Sequence, residues 1–467
     1  MKVPSPITLD YTLHDLYTAD CEDGLNTVLI YYPLQFKYSH EGTSAKFAYG
    51  YKVDEEDDDH VTSSLAMAAN LIPQRYAFSA GRMPLVILDA IAATQSNSER
   101  EGDARTADSV PGHHHLDIHQ TFAQLQPDQR PIVSFAKNPA SIELGLDARI
   151  AVLVPTDSLS HLPHLTCPET HYKLLSKRGL AVSGLPTPPS RVIDTILVDS
   201  DDPDPSLLAK EAARMADEAI EQHPVPFMVK LPQSISGMGT FAVTSETDRM
   251  RIKGMLTTQL EVMLGQLNPS NRALHPCSIV VQDFVDGPVV ALSLFVTKTG
   301  QPRFVSCCEQ LFDDRAHWIG GRISYRLQAG FQKTFSALMG QVAAFLHRRG
   351  YHGPAGVDIV TDPHSGERLV IDLNVRVTGT FHLGPLRGHF TRRGLFDAAM
   401  TSGDFSCTRD VFEQAFSDEI RQGSLIVSGW AHDESRSKSH AAITVGASDS
   451  DTLQEYLQRI RAVGLQN

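Results

Sequence analysis

Two neighbouring apolar segments in the second half of the chain carry polar side chains whose types and spacing could do chemistry. The first, GPAGVDIVTD (353–362), contains Asp358, and the second, ERLVIDLNVR, contains Asp372, Asn374 and Arg376. Alternation with period 2 places the last three on one face of a strand. A turn between the segments would pair them as a hairpin and bring Asp358 near the same face.

Unpaired carboxylates on a buried strand face are costly. Magnesium would relieve that cost, because it prefers oxygen ligands and is usually bound through one or two carboxylates together with phosphates. We therefore predict that Asp358, Asp372 and Asn374 are metal ligands. Arg376 would neutralise a phosphate or a developing acyl phosphate. The alternative is a solvent-facing strand with an Asp–Arg pair.

A lysine and a glycine-containing loop lie upstream of this hairpin. Lys230 ends the apolar run PFMVKL, and the loop SISGMGT follows. Glycines let backbone amides approach phosphates, and Lys230 would reach the same phosphates as a point charge. The predicted phosphate-binding residues are Lys230, Ser236, Gly237, Met238 and Gly239. The segment is not a Walker A motif, because no GK[ST] follows, and a glycine-containing hairpin with a basic residue at its base is also a common structural feature.

The segment SIVVQDFV (278–285) runs from a strand into an extended stretch. Its backbone could contact an adenine edge while an apolar side chain covers the ring, although the same pattern is that of an ordinary strand. The predicted adenine-binding residues are Gln282, Asp283, Phe284 and Val285.

These residues need a mixed framework of strands and helices to position them. Four short apolar runs in the first third predict buried strands of an α/β layer, at 26–33, 84–90, 131–136 and 148–155. Apolar residues at helical spacing predict helices at 207–223, 250–267, 335–350 and 450–464, and further strands are predicted at 226–231, 241–244, 278–285, 289–297, 303–310, 353–362, 367–376, 424–431 and 440–447.

Composition narrows the classes of function. The 467 residues carry 41 basic and 55 acidic side chains, for a net charge of −14, which argues against a nucleic-acid partner or an anionic membrane. No stretch reaches the roughly 18–20 apolar residues of a membrane span, and the N-terminal sequence has no apolar signal region. The six cysteines are scattered without a CxxC pair and are expected to be reduced thiols. We expect a soluble cytoplasmic protein.

The order of these motifs over roughly residues 165–400 resembles the ATP-grasp superfamily, which includes biotin carboxylases, D-alanine–D-alanine ligases and carnosine-synthase-like ligases. The resemblance implies an α+β fold in which two lobes sandwich ATP. It implies an N-terminal α/β pre-ATP-grasp domain (1–165), a connecting helical segment (166–224), a small lobe (225–285) and a large lobe with a C-terminal completion (286–467). The implied cofactors are ATP and Mg²⁺, with Mn²⁺ as a substitute.

The resemblance also assigns further residues. Lys173 stands at the first nucleotide-binding lysine, with Lys177 as a competitor for that role. Arg322 and Arg326 stand where related ligases contact a carboxylate or a phosphate, so the implied catalytic residues are Arg376, Arg326 and Arg322. The chain departs from the family at the metal positions, where Glu is frequent and it has Asp, and at Val289, where some ligases have a ribose-binding Glu.

The implied function is an ATP-dependent carboxylate–amine ligase that forms an amide through an acyl phosphate and releases ADP and phosphate. Its partners would be a small-molecule acid and an amine, for example amino acids, and a homodimer is compatible with the sequence. The alternatives are an ATP-grasp kinase acting on a small molecule and a non-catalytic nucleotide-binding protein. The run GHHHLDIHQ (112–120) has four histidines that could bind a transition metal. It follows a polar stretch, however, and adjacent histidines on a loop do not fix a coordination geometry, so metal binding is the less favoured interpretation.

Overall fold

The structure is a computed structural model that describes residues 6–19, 26–31, 45–49, 58–88, 113–197, 204–221, 223–233, 239–313 and 317–464. Within these residues the chain forms three sheets, of four, eight and four strands. The expected α+β architecture is confirmed. Among the described residues, no helix has the length and apolar content that crossing a bilayer requires.

The N-terminal part is an α/β layer built on four parallel strands in the order β3-β2-β1-β4. All four predicted strands are present. The aliphatic residues of β1 and β2 are buried on both faces, as expected inside a parallel sheet, whereas the edge strand β3 leaves Ile132 exposed. The elements are α1 (Leu13–Thr18), β1 (Thr27–Ile30), α2 (Asp58–Ala77), β2 (Pro84–Leu88), α3 (His113–Ala123), β3 (Ile132–Ala136) and β4 (Arg149–Val152).

Helix α3 differs from the prediction, because the histidine run was expected to be a loop. Ile118 and Phe122 are buried in the core on one face of this helix. His115 stacks on Phe135 with ring centroids 3.7 Å apart, and His119 meets the same ring edge-on at 5.9 Å. Helical spacing therefore directs these two histidines to an aromatic partner, and the described residues contain no cluster of three or more His, Cys, Asp or Glu side chains suited to a metal.

The small lobe is an antiparallel four-stranded sheet in the order β5-β8-β6-β7. Two long helices pack on it through a shared apolar cluster that includes Met215, Ile252 and Val229. The elements of this stretch are α4 (Pro168–Leu175), α5 (Lys177–Ala181), β5 (Ser190–Ile193), α6 (Pro205–Glu221), β6 (Phe227–Lys230), β7 (Thr240–Val243), α7 (Glu246–Leu264) and β8 (Ile279–Asp283).

The boundary of this lobe differs from the expectation. The stretch 166–224 was expected to be only a helical connection, but β5 pairs with β8 and α6 packs on the same sheet. The four-residue strand SRVI follows a proline-rich turn and has only one buried position, so its sequence gave little sign of a strand.

The large lobe is an eight-stranded sheet in the order β13-β12-β9-β10-β11-β14-β16-β15. Helix α8 covers one face near β9, β10 and β12. The elements are β9 (Val289–Val296), β10 (Pro302–Phe312), β11 (Trp318–Ser324), α8 (Gln328–His347), β12 (Gly353–Thr361), β13 (Arg368–Asn374), α9 (Arg387–Thr391), β14 (Asp397–Phe405), α10 (Arg409–Ala415), α11 (Ser417–Gln422), β15 (Leu425–Asp433), β16 (Lys438–Ala447) and α12 (Ser450–Gly464).

The N-terminal layer and the large lobe share one apolar core. Gln74 of α2 forms a double hydrogen bond with the backbone of Trp430 on β15, at 2.7 and 3.0 Å. Gln124, directly after α3, donates to the carbonyl of Val427 at 2.7 Å. The C-terminal strands therefore extend the large sheet and also hold helix α2 against it, which fixes the position of the residues at the end of α2.

Candidate active site

The two predicted strands of the 353–376 region pair as an antiparallel hairpin. Asp358 lies directly opposite Asp372, and Gly356 lies opposite Asn374. The aliphatic residues between them, such as Val357 and Leu373, face the core under α8. Strand alternation thus separates an apolar face from a face with two adjacent carboxylates and an amide.

Asp372 is held by a lysine from another part of the chain. The Nζ of Lys177 donates to Oδ1 of Asp372 at 2.5 Å. Burial raises the pKa of Asp372, but the charges of Lys177 and Lys230 outweigh burial and lower it below its usual range. Asp372 is therefore the ionised member of the carboxylate pair.

Asp358 has the opposite character. Burial, reinforced by the charge of Asp372 across the hairpin, raises the pKa of Asp358 to about 7, while a hydrogen bond with Gln310 works against this rise. Two acidic groups facing each other cannot both ionise without a counter-charge. The pair therefore has the electrostatic signature of a site that accepts a cation.

Lys230 links the small lobe to the edge strand of the large sheet. Its Nζ donates to Oε1 of Gln282 at 2.6 Å and to the carbonyl of Ile371 at 2.7 Å. Burial, with the charge of Lys177 adding to it, lowers the pKa of Lys230 to about 8, against the opposing effect of the two aspartates. Two lysines from different elements thus meet the carboxylate hairpin where the lobes come together.

The predicted adenine segment joins the two lobes. Gln282 is buried in the centre of the small-lobe sheet and donates from Nε2 to Oγ of Ser190 at 2.9 Å. Asp283 contacts Nε2 of His223 at 2.9 Å. Phe284 is 38% exposed at the end of β8, so its ring is available to cover a planar ligand, and Val285 is partly exposed beside it.

The predicted phosphate loop is only partly described. Ser236, Gly237 and Met238 lie outside the described residues. Gly239 has φ of +78° and its carbonyl accepts from the amide of Leu231 at 2.8 Å. This left-handed conformation favours glycine at the end of the loop, and the loop returns to the strand that carries Lys230.

The two candidates for the first nucleotide lysine are placed differently. Lys173 is exposed on α4 and lies near His275. Burial, followed by the charges of Arg178 and Lys173, lowers the pKa of His275. Lys177 is 7% exposed at the start of α5 and contacts Asp372. The structure thus brings the competitor Lys177 to the carboxylate pair, and it does not bring Lys173 there.

Arg322 and Arg326 are engaged elsewhere. Arg322 forms an ion pair with Glu309, its cross-strand neighbour, with Nε 2.6 Å from Oε2. Because Gln310 faces Asp358, alternation along β10 places Glu309 and hence Arg322 on the opposite face of the sheet. The Nη1 of Arg326 lies 3.7 Å from Oδ2 of Asp397, and its Cζ lies 4.1 Å from the centroid of the Phe396 ring. The implied catalytic role of these two arginines is not supported by their positions.

Arg376 continues the polar face of the hairpin. Its Nη2 donates to Oδ1 of Asn374 at 3.1 Å. It also lies close enough to the hydroxyl of Tyr76 to lower the pKa of that phenol, and the same hydroxyl accepts a hydrogen bond at 2.9 Å from Arg75. Sequence reasoning missed Arg75, Tyr76 and Gln310, because each lies outside the motifs and reaches the site only through tertiary contacts.

The donor set fits a magnesium ion. It comprises two carboxylate oxygens and one amide oxygen, and burial with the charge of Asp372 raises the pKa of Asp358, so a cation here would favour ionisation of both carboxylates. Magnesium needs few protein ligands because it keeps waters and binds phosphates. Asp358, Asp372 and Asn374 would hold it, with Lys177 and Lys230 adjacent for phosphate oxygens.

Solved structures resemble the chain at the level of the fold. An N5-carboxyaminoimidazole synthetase from Staphylococcus aureus is 12% identical, with a TM-score of 0.48 over 94% of this chain and 97% of that one. An L-amino acid ligase from Bacillus licheniformis is 12% identical, with a TM-score of 0.47 over 94% and 97%. The biotin carboxylase domain of a 2-oxoglutarate carboxylase from Hydrogenobacter thermophilus is 13% identical, with a TM-score of 0.39 over 67% and 68%. These identities and TM-scores do not indicate an activity for this chain.

No curated protein matches the sequence significantly. The family described as ATP-grasp domain matches residues 218–380. This range begins in α6 and includes Lys230, the segment between the lobes and the complete hairpin with its two aspartates. The chain therefore contains an ATP-grasp domain over residues 218–380.

Proposed function

We propose that the protein is an ATP-dependent carboxylate–amine ligase that forms an amide through an acyl phosphate. The observation that carries this proposal is the meeting of Lys177 and Lys230 with the Asp358–Asp372 hairpin at the junction of the lobes. This arrangement offers a cation site and two positive charges where a nucleotide triphosphate could end. No nucleophilic side chain is needed, because phosphoryl transfer depends mostly on positioning and charge stabilisation.

The proposed chemistry has two steps. A carboxylate oxygen of the acid attacks the γ-phosphorus of ATP, the bond to the bridging oxygen breaks, and ADP leaves. The nitrogen of the amine then attacks the acyl carbon, the carbon–oxygen bond to phosphate breaks, and phosphate leaves as the nitrogen loses a proton. Magnesium would supply charge stabilisation at the phosphates.

The residues have distinct parts in this scheme. Lys177 and Lys230 neutralise phosphate oxygens, while Gln282 to Val285 lie along the adenine. Lys173, exposed on α4, could approach the nucleotide only from the solvent side. Arg376 stands at the end of the hairpin beside Asn374, where it can contact the group that receives the phosphoryl.

An oxygen-isotope experiment tests the proposal directly. ADP and phosphate release is first screened with MgATP against pools of small acids and amines. The responding acid is then supplied with ¹⁸O in its carboxylate, and mass spectrometry follows the label. One ¹⁸O in the released phosphate, with an amide of the condensed mass, is the expected result.

Phosphate retained on the acceptor would assign the protein to the kinases, which share the fold class. ADP release without ¹⁸O transfer would exclude the acyl phosphate. If MgATP binds but no pool responds, binding of the nucleotide without turnover would favour the non-catalytic alternative.

A further inference from the structure

A second charged cluster lies where the N-terminal helix α2 meets the large lobe. Its members are Arg75 and Tyr76 at the end of α2, Arg376 after β13, and Trp318 at the start of β11. The guanidinium of Arg75 lies 4.7 Å from the ring centroid of Tyr76 and 5.4 Å from that of Trp318. The charge of Arg75 therefore lies within cation–π distance of two aromatic rings.

Two guanidinium groups lie beside one phenol oxygen in this cluster. Arg75 donates to the hydroxyl of Tyr76 at 2.9 Å, and Arg376 lies close enough to lower the pKa of that hydroxyl. Within the described ranges, neither arginine forms an ion pair with a carboxylate. Burial would raise the pKa of Tyr76, but the two arginines lower it to about 8. Like charges brought this close favour a bound anion between them.

The cluster retains donor capacity. The Nε of Arg75 is buried and has no hydrogen-bond partner, while its Nη1 reaches Oγ of Ser402 at 3.3 Å. His382 is only 1% exposed, and its Nδ1 also has no hydrogen-bond partner. Burial, with the charge of nearby Arg75 adding to it, lowers the pKa of His382. Buried polar atoms are almost always satisfied in native structures, so these unpaired atoms point to a ligand.

The position of the cluster identifies the kind of ligand. Arg376 contacts Asn374, so an anion bound between the two arginines would lie next to the proposed magnesium and phosphate end. Arg376 also lines a narrow cleft with Tyr31, which follows β1 at the carboxyl end of the N-terminal sheet. The ring of Tyr31 meets that of Tyr76 edge-on at 6.4 Å, so the cleft borders the cluster through Tyr31 and Arg376.

From this geometry we infer that Arg75, Tyr76 and Arg376 bind the carboxylate of the acid substrate, with Arg75 as a substrate-binding residue supplied by the N-terminal domain. The inference rests on the proposed function and extends it. A planar carboxylate can accept from two guanidinium groups at once. The N-terminal domain would then take part in choosing the acid, while the ATP-grasp lobes bind the nucleotide.

The experiment uses Trp318 as an internal reporter in the full chain. The protein has two tryptophans, and the other, Trp430, is fully buried in a separate apolar cluster. Fluorescence is titrated with acetate, with inorganic phosphate and with any acid found in the release screen, for the wild type and for the Arg75→Gln, Arg75→Lys and Arg82→Gln variants. Arg82 is an exposed arginine of the same domain and serves as the matched control.

We expect saturable quenching or enhancement by carboxylates in the wild type and in Arg82→Gln. Arg75→Gln should weaken carboxylate binding by about 10-fold or more, since a charge-assisted contact is lost. The affinity of this variant for a non-hydrolysable MgATP analogue should change by less than about two-fold, because Arg75 does not contact Lys177 or Lys230. Arg75→Lys should recover only part of the affinity, because lysine lacks the planar fork. With a known acid, KM for that acid should rise and KM for ATP should not.

Three results would overturn the inference: no saturable carboxylate response in the wild type, equal carboxylate affinity in Arg75→Gln, or a response to phosphate alone, which would assign the cluster to the transferred phosphoryl group. Failure of the proposed function is a separate outcome. In that case carboxylate binding would still depend on Arg75, but no acid would release ADP.

Discussion

The carboxylate hairpin and the arginine cluster meet at Arg376 but were assembled in different ways. The hairpin comes from one continuous segment, in which Asp358 and Asp372 oppose each other through local strand pairing. The cluster draws Arg75, Trp318 and Arg376 from three distant segments. The first centre presents two carboxylates and an amide oxygen that suit a cation, and the second presents two guanidinium groups that suit an anion. Local periodicity specifies one of them, and only the packing of α2 against the large sheet creates the other.

The strongest way to test the hairpin is Asp372→Asn. This change removes the ionised member of the pair and the partner of Lys177, so we expect kcat to fall by about 1000-fold or more through loss of the metal. Circular dichroism should show a folded protein, because Asp358 can ionise once the opposing charge is gone. Asp362→Asn is the control, since Asp362 lies exposed in the turn of the same hairpin. Retention of more than about one tenth of the activity by Asp372→Asn would remove the metal site from the proposal.

Buried histidines next to both centres predict how stability depends on pH. Burial lowers the pKa of His171 to about 4, although its hydrogen bond to the carbonyl of Val375 opposes this, and burial with the charge of Arg75 lowers that of His382 to about 3. In the unfolded chain both would titrate near 6.5. Below that pH both histidines become protonated in the unfolded chain, while in the folded protein they stay neutral until a lower pH. Each histidine should therefore reduce the free energy of unfolding by about 1.4 kcal/mol per pH unit between about pH 6 and about pH 4.

Urea denaturation of the wild type and of His382→Gln at pH 7, 6 and 5 measures this effect. The variant should lose stability less steeply with falling pH, by the contribution of one proton. His317→Gln, which alters an exposed histidine, should keep the wild-type slope. Identical slopes for all three proteins would show that His382 is not held neutral in the fold.

Lys230 gives a smaller effect, on the nucleotide side alone. Lys230→Met should weaken MgATP binding by about 10-fold, because a charged phosphate contact is lost, and should leave carboxylate binding at the arginine cluster unchanged. Lys253→Met is the matched control, since Lys253 pairs with Asp217 on the surface of the same lobe. Calorimetry with a non-hydrolysable ATP analogue separates the two ligands. If Lys230→Met weakened carboxylate binding as strongly as nucleotide binding, the division into two centres would be lost.

The same contrast explains what could be predicted from sequence. The four N-terminal strands, the two long small-lobe helices and the hairpin follow from local apolar periodicity, and each is present close to its expected bounds. Strands β5, β11 and β14 were missed. Trp318 to Ser324 contains two adjacent glycines, and Asp397 to Phe405 is rich in small residues, so neither has a clear strand pattern.

The candidate site shows the same limit. Alternation predicted the shared face of Asp358, Asp372 and Asn374, which depends only on neighbouring residues. Whether Lys173 or Lys177 reaches that face depends on the break between α4 and α5 at Ser176, where one helix ends and the next begins. A sequence pattern that extends through both lysines does not reveal this break.

The smallest effect is expected at Arg322. A variant of this residue tests whether it has the catalytic role that the resemblance implies or only the ion pair that the structure shows. Arg322→Gln removes an exposed ion pair with Glu309 on the sheet face opposite Gln310, and exposed pairs contribute about 0–1 kcal/mol. We expect kcat and both KM values to stay within about two-fold of the wild type, with a small change in the unfolding midpoint. Arg376→Gln, measured in parallel, should reduce turnover strongly, because Arg376 adjoins both centres. A comparable loss of turnover in Arg322→Gln would mean that the sheet face beneath β11 also contacts substrate, and would return Arg322 to the catalytic residues.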